Sequence, residues 1–100
     1  MKRFRRLYLI EPAHDFTVAK LYTDQVIFVT TGEERVEELQ GKITESLSDF
    51  CPTTDALIPM GKSSACLMTG LILPTLSLFG ASVNIGVFRG DSYEFYEVTL

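Results

Sequence analysis

The chain reads as a single small α/β domain: a mostly parallel sheet, about three helices, and an antiparallel edge strand at the C-terminus. Three observations predict it. The stretch Asp55 to Arg89 runs through a short apolar segment, an apolar segment of helix length and an alternating segment, the order of a strand, crossover helix, strand unit. The first half repeats this logic, giving β, short α, β, α, β, α, β, β, and right-handed crossovers make such strands parallel. One hundred residues with 46% hydrophobic content supply one core, and no repeat, linker or low-complexity tract divides residues 1–100.

In chain order, Arg6 to Ile10 (RLYLI) is apolar on both faces and is closed by Glu11 and Pro12, the pattern of a central strand. Asp15 could cap a short helix carrying Phe16, Val18, Ala19, Leu21 and Tyr22; its β-branched residues make an Ω-like loop the alternative. Gln25 to Thr30 (QVIFVT) is β-branched and aromatic, hence a strand. Thr31 and Glu34 have the spacing of a capping box, with Glu33 and Glu34 suited to the first turn, so a helix is expected to start there. Val36, Leu39, Ile43, Leu47 and Phe50 then fall on one stripe, Glu37, Glu38, Gln40, Lys42 and Glu45 face water, and Cys51 and Pro52 end the helix.

Ala56 to Pro59 is the third strand, punctuated by Pro59 and Gly61, and Ser63 or Ser64 can cap the helix beyond it. Ala65 to Phe79 is apolar almost all round, as in a helix covered on most sides. Pro74 predicts a kink, or an early end with a separate last turn, before Gly80 stops the run. Ser82 to Phe88 alternates Val83, Ile85 and Val87 against Asn84, Gly86 and Phe88, the period of a strand. Arg89 to Ser92 form a turn into a last strand, Tyr93 to Leu100, whose Glu94 and Glu97 suit an edge.

Residues 63–88 carry no Asp, Glu, Lys or Arg, which raises the rival reading of a membrane span. Ser, Thr, Asn and Gly interrupt that run, Pro74 and Gly80 divide it, and its second half has strand periodicity. A buried helix leading into an inner strand accounts for it better. The net charge of −4 argues against a dedicated nucleic-acid binder. The basic cluster of Lys2, Arg3, Arg5 and Arg6 is read as a solvated tail or strand start rather than a phosphate-binding arm. It is too polar, and Leu7 to Ile10 too short, for a secretory signal. Cys51 and Cys66 have no second pair and no nearby His, so reduced thiols in a cytoplasmic protein are expected and no metal or other cofactor is called for.

A site is most easily built at the carboxyl ends of the strands, where neighbouring crossovers leave to opposite faces. If the first and third strands are adjacent, Glu11, Pro12, Ala13, His14 and Asp15 meet Met60, Gly61, Lys62, Ser63 and Ser64 there. Gly61 allows close approach, the helix start presents amides, and Lys62 adds charge, the makings of an anion pocket. Ala56 followed by Gly61, Lys62 and Ser63 fits a relaxed phosphate-loop pattern, but Leu57 and Ile58 look like strand core where that loop needs free backbone. His14 beside Asp15 could be a base with its orienting carboxylate, yet adjacent residues do not face each other, and a surface His in a turn is the plainer reading. Glu33, Glu34, Glu37, Glu38 and Glu45 are most simply a solvated helix face.

The second half carries a further pattern: Asp55 before an apolar strand, Gly61, an apolar helix, Gly80, then Val83, Asn84, Ile85 and Phe88, a turn, Tyr93 and Val98. It resembles small uncharacterised α/β proteins of bacteriophages and mobile elements, in which a similar strand, helix and hairpin close the chain. Where those chains carry Trp and Asp at the end of the fourth strand, Phe88 and Arg89 stand here. The resemblance implies an accessory or host-interaction protein and carries over no activity or site residue.

The sequence therefore leads to a non-catalytic phage-type binding protein that acts through protein contacts, with a protein partner or as a homodimer. Tyr93, Phe95 and Tyr96 on the last strand, with the acidic helix face, are the expected interface, and strand addition the route. The alternative is a nucleotide-binding or phosphodiester-processing protein using the crevice of His14, Gly61, Lys62, Ser63 and Ser64.

Overall fold

The computed structural model describes residues 2–12, 17–78 and 80–100. Its strands are β1 (Arg6–Leu9), β2 (Val26–Phe28), β3 (Asp55–Ile58), β4 (Ser82–Phe88) and β5 (Tyr93–Thr99), and its α-helices are α1 (Val36–Ser46) and α2 (Ser63–Ile72). They form one sheet in the order β2-β1-β3-β4-β5. The first four strands are parallel and β5 runs antiparallel to β4.

Alternation along β1 decides the layering. Tyr8 and Ile10 join Val29, Ile43, Leu47, Leu57, Ile72 and Val83 under α1 and α2. Leu7 and Leu9 join Phe4, Ala19, Tyr22, Ala56, Ile58 and Tyr93 on the other face. Both faces of β1 are thus dry, and each large apolar side chain so buried contributes roughly 1.5–3 kcal/mol. At the amino ends, Arg5 grips Asp55 through Nε to Oδ1 at 3.0 Å and a second nitrogen to Oδ2 at 2.6 Å. The buried Asp55 carboxylate also accepts the Cys51 amide at 2.8 Å, so its lone pairs are used.

Two α-helices stand among the described residues where about three were expected. Residues Thr17–Leu21 form a 3₁₀ segment, burying Ala19 and leading into the buried Tyr22. The β-branched Thr17 and Val18 disfavour a full α-helix there, and Tyr22 N–H closes a tight turn on the Ala19 carbonyl at 3.0 Å. The Asp15 cap and Phe16 lie outside the described residues.

The second helix begins later than its capping signal. The Glu34 carboxylate accepts the Thr31 and Gly32 amides, and Thr31 Oγ1 accepts the Glu33 amide. These bonds close a turn instead, because Gly32 sits at φ +86°, a left-handed conformation no helix start adopts. Arg35 is the N-cap, with its amide donating to Glu38 Oε1 at 3.3 Å. Ile43, Leu47 and Phe50 of the stripe are buried, whereas Val36 is 81% exposed. The helix ends at Ser46, and Leu47 and Phe50 reach the core from the turns beyond it.

α2 stops at Ile72 and is continued by a 3₁₀ turn over Leu73–Thr75 that contains Pro74, the separate last turn expected. Phe79, where the apolar run was expected to end, lies outside the described residues. Cover on most sides is not what α2 has. Ala65, Thr69 and Ile72 pack inward, while Leu67 and Leu71 are each 67% exposed, because α2 is an outer layer and no described element packs over that side.

Candidate functional site

The strand order creates one switch point. From β1 the chain leaves over the Tyr22 face toward β2, and from β3 it leaves through α2 over the opposite face toward β4. A crevice therefore opens at the carboxyl ends of β1 and β3. Glu11 N–H donates to the Met60 carbonyl at 3.0 Å there, so the two loops expected to meet do meet. His14 lies outside the described residues.

The group at the centre is one that no sequence motif singles out. Glu11 is only 7% exposed, and its carboxylate accepts the backbone N–H of Lys62, the N-cap of α2. Two glycines make room for it. A Cβ on Gly61 would stand 2.5 Å from Glu11 Oε1, and one on Gly32 3.1 Å from Oε2. Lys62 Nζ donates to the Gly32 carbonyl at 2.9 Å, so the lysine ties the two loops together. Ser63 and Ser64 lie exposed in the first turn of α2.

This arrangement changes what the crevice can hold. The amide at the head of α2 that would cradle a phosphate is taken by the chain's own carboxylate. An anion placed about 4 Å from Glu11 would meet a repulsion of about 4 kcal/mol at an effective dielectric constant near 20. A cleft of about 240 Å³ remains, edged by Glu11, Thr30, Glu34 and Lys62 with Val36, Leu39 and Ala65 as its apolar wall. Burial tends to raise the Glu34 pKa, but the Thr31 and Gly32 amides outweigh it and hold the carboxyl below its ordinary value. Ala56 to Ile58, where a phosphate loop would need free backbone, are buried residues of β3.

No family model, curated protein or solved structure matches this chain.

The second place of interest is the outer edge of β5. Arg89 N–H donates to the Ser92 carbonyl and Leu100 N–H to the Ala81 carbonyl, so the even-numbered residues of β5 turn their peptide groups toward β4. The odd-numbered residues Tyr93, Phe95, Glu97 and Thr99 turn theirs outward. Tyr93 bears this out: its N–H donates sideways to the Tyr22 hydroxyl at 3.1 Å. Side chains follow a different division. Tyr93 is buried against Tyr22, and Phe95 is half-buried against Phe4 and Tyr22. Of the three residues expected at an interface, Tyr96 presents its side chain (44% exposed), while Tyr93 is buried and Phe95 half-buried.

Val98, at 46% exposure, joins Tyr96 on the α-helical face beyond the reach of α2, and it was not among the residues expected at an interface. Its signal is parity: Val98 stands opposite Val83 and Tyr96 opposite Ile85. Tyr96 hydroxyl donates to Glu94 at 2.6 Å, and Arg89 reaches Glu94 at 3.0 Å. The Tyr96 hydrogen bond, then Arg89, holds the Glu94 carboxyl below its ordinary value.

The other expected surfaces are quickly placed. Glu37, Glu38 and Glu45 are exposed on α1, but Glu33 and Glu34 belong to the preceding turn. The basic start of the chain is pinned by ion pairs: Arg3 holds Asp24 at 2.7 Å and Arg5 holds Asp55. No group of three metal-ligating side chains occurs among the described residues, and none of their helices is long and apolar enough to cross a membrane.

Proposed function

We propose that this chain is a small accessory or host-interaction protein that binds another protein by strand addition at the outer edge of β5, without catalysis. The observation that supports the reading is the outer edge of the sheet at β5. β5 runs for seven residues at the end of the sheet, and no strand among the described residues pairs with its outer side, where Phe95, Glu97 and Thr99 turn their peptide groups outward. The resemblance of the second half to phage and mobile-element proteins supports the accessory role. Two free thiols, Cys51 and Cys66, support placing it in the cytoplasm.

The test uses the outward amide of Glu97. Glu97→Pro removes that donor and leaves the ladder to β4 intact, since proline is tolerated on the open side of an edge strand. Affinity capture from cells of its source is expected to retain a protein on the wild type and lose it on Glu97→Pro at unchanged circular dichroism. Equal capture by both would remove the β5 edge from the reading.

A nucleotide or phosphodiester in the crevice of His14, Gly61, Lys62, Ser63 and Ser64 would have to displace Glu11 from the α2 amide. Thermal unfolding with a panel of nucleotides is therefore expected to show no stabilisation. A nucleotide that raised the melting temperature of the wild type but not of Lys62→Ala would replace the binding reading with an enzymatic one.

A further inference from the structure

The geometry points to a binding site separate from the β5 edge: the cleft between the end of β1, the loop before α1 and the head of α2 takes a primary alkylammonium group. Glu11 is the deciding residue. It is only 7% exposed, and a buried carboxylate needs its oxygens met by donors or a counter-ion. Oε1 accepts the Lys62 amide. Oε2 lies toward Gly32, where both residues line the cleft, and among the described residues no donor or ion pair reaches it. The nearby Lys62 Nζ is spent on the Gly32 carbonyl at 2.9 Å instead.

The rest of the polar lining is built of acceptors. Glu34 brings a second carboxylate, bonded to the Thr31 and Gly32 amides. Thr30 Oγ1 gives its proton to the Ile10 carbonyl at 2.8 Å and so has only lone pairs left for a guest. Glu11 and Glu34 against Lys62 leave the cleft with a net negative charge. A guest with one positive charge, several donors and no acceptor answers both facts.

Shape narrows the chemistry. Both carboxylates are already bonded to backbone amides, so neither offers the open fork that suits a guanidinium, whereas a compact ammonium can use single lone pairs. A divalent cation, which seeks about six oxygens, would meet Lys62 among its neighbours. The volume of about 240 Å³ lies below the roughly 300 Å³ at which pockets for whole small molecules begin, and suits a charged head on a short stem. The stem has a wall of its own: Val36, 81% exposed, and the half-buried Leu39 stand beside the acceptors. Such a head is carried by free alkylamines and by the lysine side chain of another protein.

The test is a titration of the whole chain followed at the amide resonances of Gly32 and Lys62. Pentylammonium chloride is expected to shift them with a dissociation constant on the order of 1 mM. Pentanol has the stem without the charge, and trimethylpentylammonium the charge without the donors; both are expected to leave the resonances in place. Glu11→Gln keeps an oxygen for the Lys62 amide and is expected to weaken pentylammonium binding about tenfold or more. Lys62→Gln removes the competing charge and is expected to strengthen it. Nα-acetyl-lysine methylamide binding as tightly as pentylammonium assigns the cleft to a lysine side chain, and weaker binding assigns it to a free amine. No shift with pentylammonium, equal shifts with pentanol or magnesium chloride, or Lys62→Gln weakening binding as Glu11→Gln does would each overturn the inference. Should a variant fail to fold, the wild-type series of pentylammonium, pentanol and trimethylpentylammonium decides it alone.

Discussion

Asp55 shows how much can rest on one carboxylate. Burial pushes its pKa up, but the Arg5 hydrogen bonds, the Cys51 amide and the Arg5 charge pull harder and leave it below its ordinary value. A carboxyl with a depressed folded pKa stabilises the fold above its unfolded value, near 4, and that contribution is lost as pH falls through the lower folded value. Urea unfolding should therefore show wild-type stability declining below about pH 4. Asp55→Asn should be about 2–3 kcal/mol less stable at neutral pH and should lack that component of the decline. Parallel pH curves for the two proteins would show that the titrating group lies elsewhere. Gly61 is the second such residue. At φ +132°, with Glu11 against its Cα, Gly61→Ala should cost about 1–3 kcal/mol, and less in a Glu11→Ala background where the overlap is gone. An additive double-mutant cycle would mean that the loop does not pack on Glu11.

At the scale of elements, strands were easier to read than helix boundaries and helix cover. β1, β3, β4 and β5 fall where alternation and turn residues put them, because a strand's period is visible within a few residues. The start of α1 was hidden by Gly32: its neighbours have capping chemistry, but the backbone conformation at one glycine sends that chemistry into a turn. The exposure of α2 was hidden for another reason. A count of apolar residues records hydrophobicity and not the number of layers above a helix, so Leu67 and Leu71 looked buried. The consequence is measurable by thermal denaturation. Leu67→Glu and Leu71→Lys should each change stability by less than about 0.5 kcal/mol, whereas Ile43→Asp, at a fully buried position, should abolish the folded signal. A large loss from the α2 substitutions would mean that something covers that helix in solution.

For the whole molecule, the right-handed crossover rule carries most of the topology, and the adjacency of β1 and β3 that it allowed is the one found. What it does not carry is the long-range polar wiring. Glu11 and Lys62, Arg5 and Asp55, and Tyr22 and Tyr93 are separated by 51, 50 and 71 residues, and no local spacing announces such pairs. The candidate site was legible as a place, since topology put a crevice there. Its chemistry was not, because whether an amide at a helix head is open or occupied depends on a side chain from a distant strand end. The wiring at Glu11 couples three loops: its carboxylate accepts the Lys62 amide, Lys62 holds the Gly32 carbonyl, and Gly32 and Gly61 leave the carboxylate room, so a change at any of them is felt at the others.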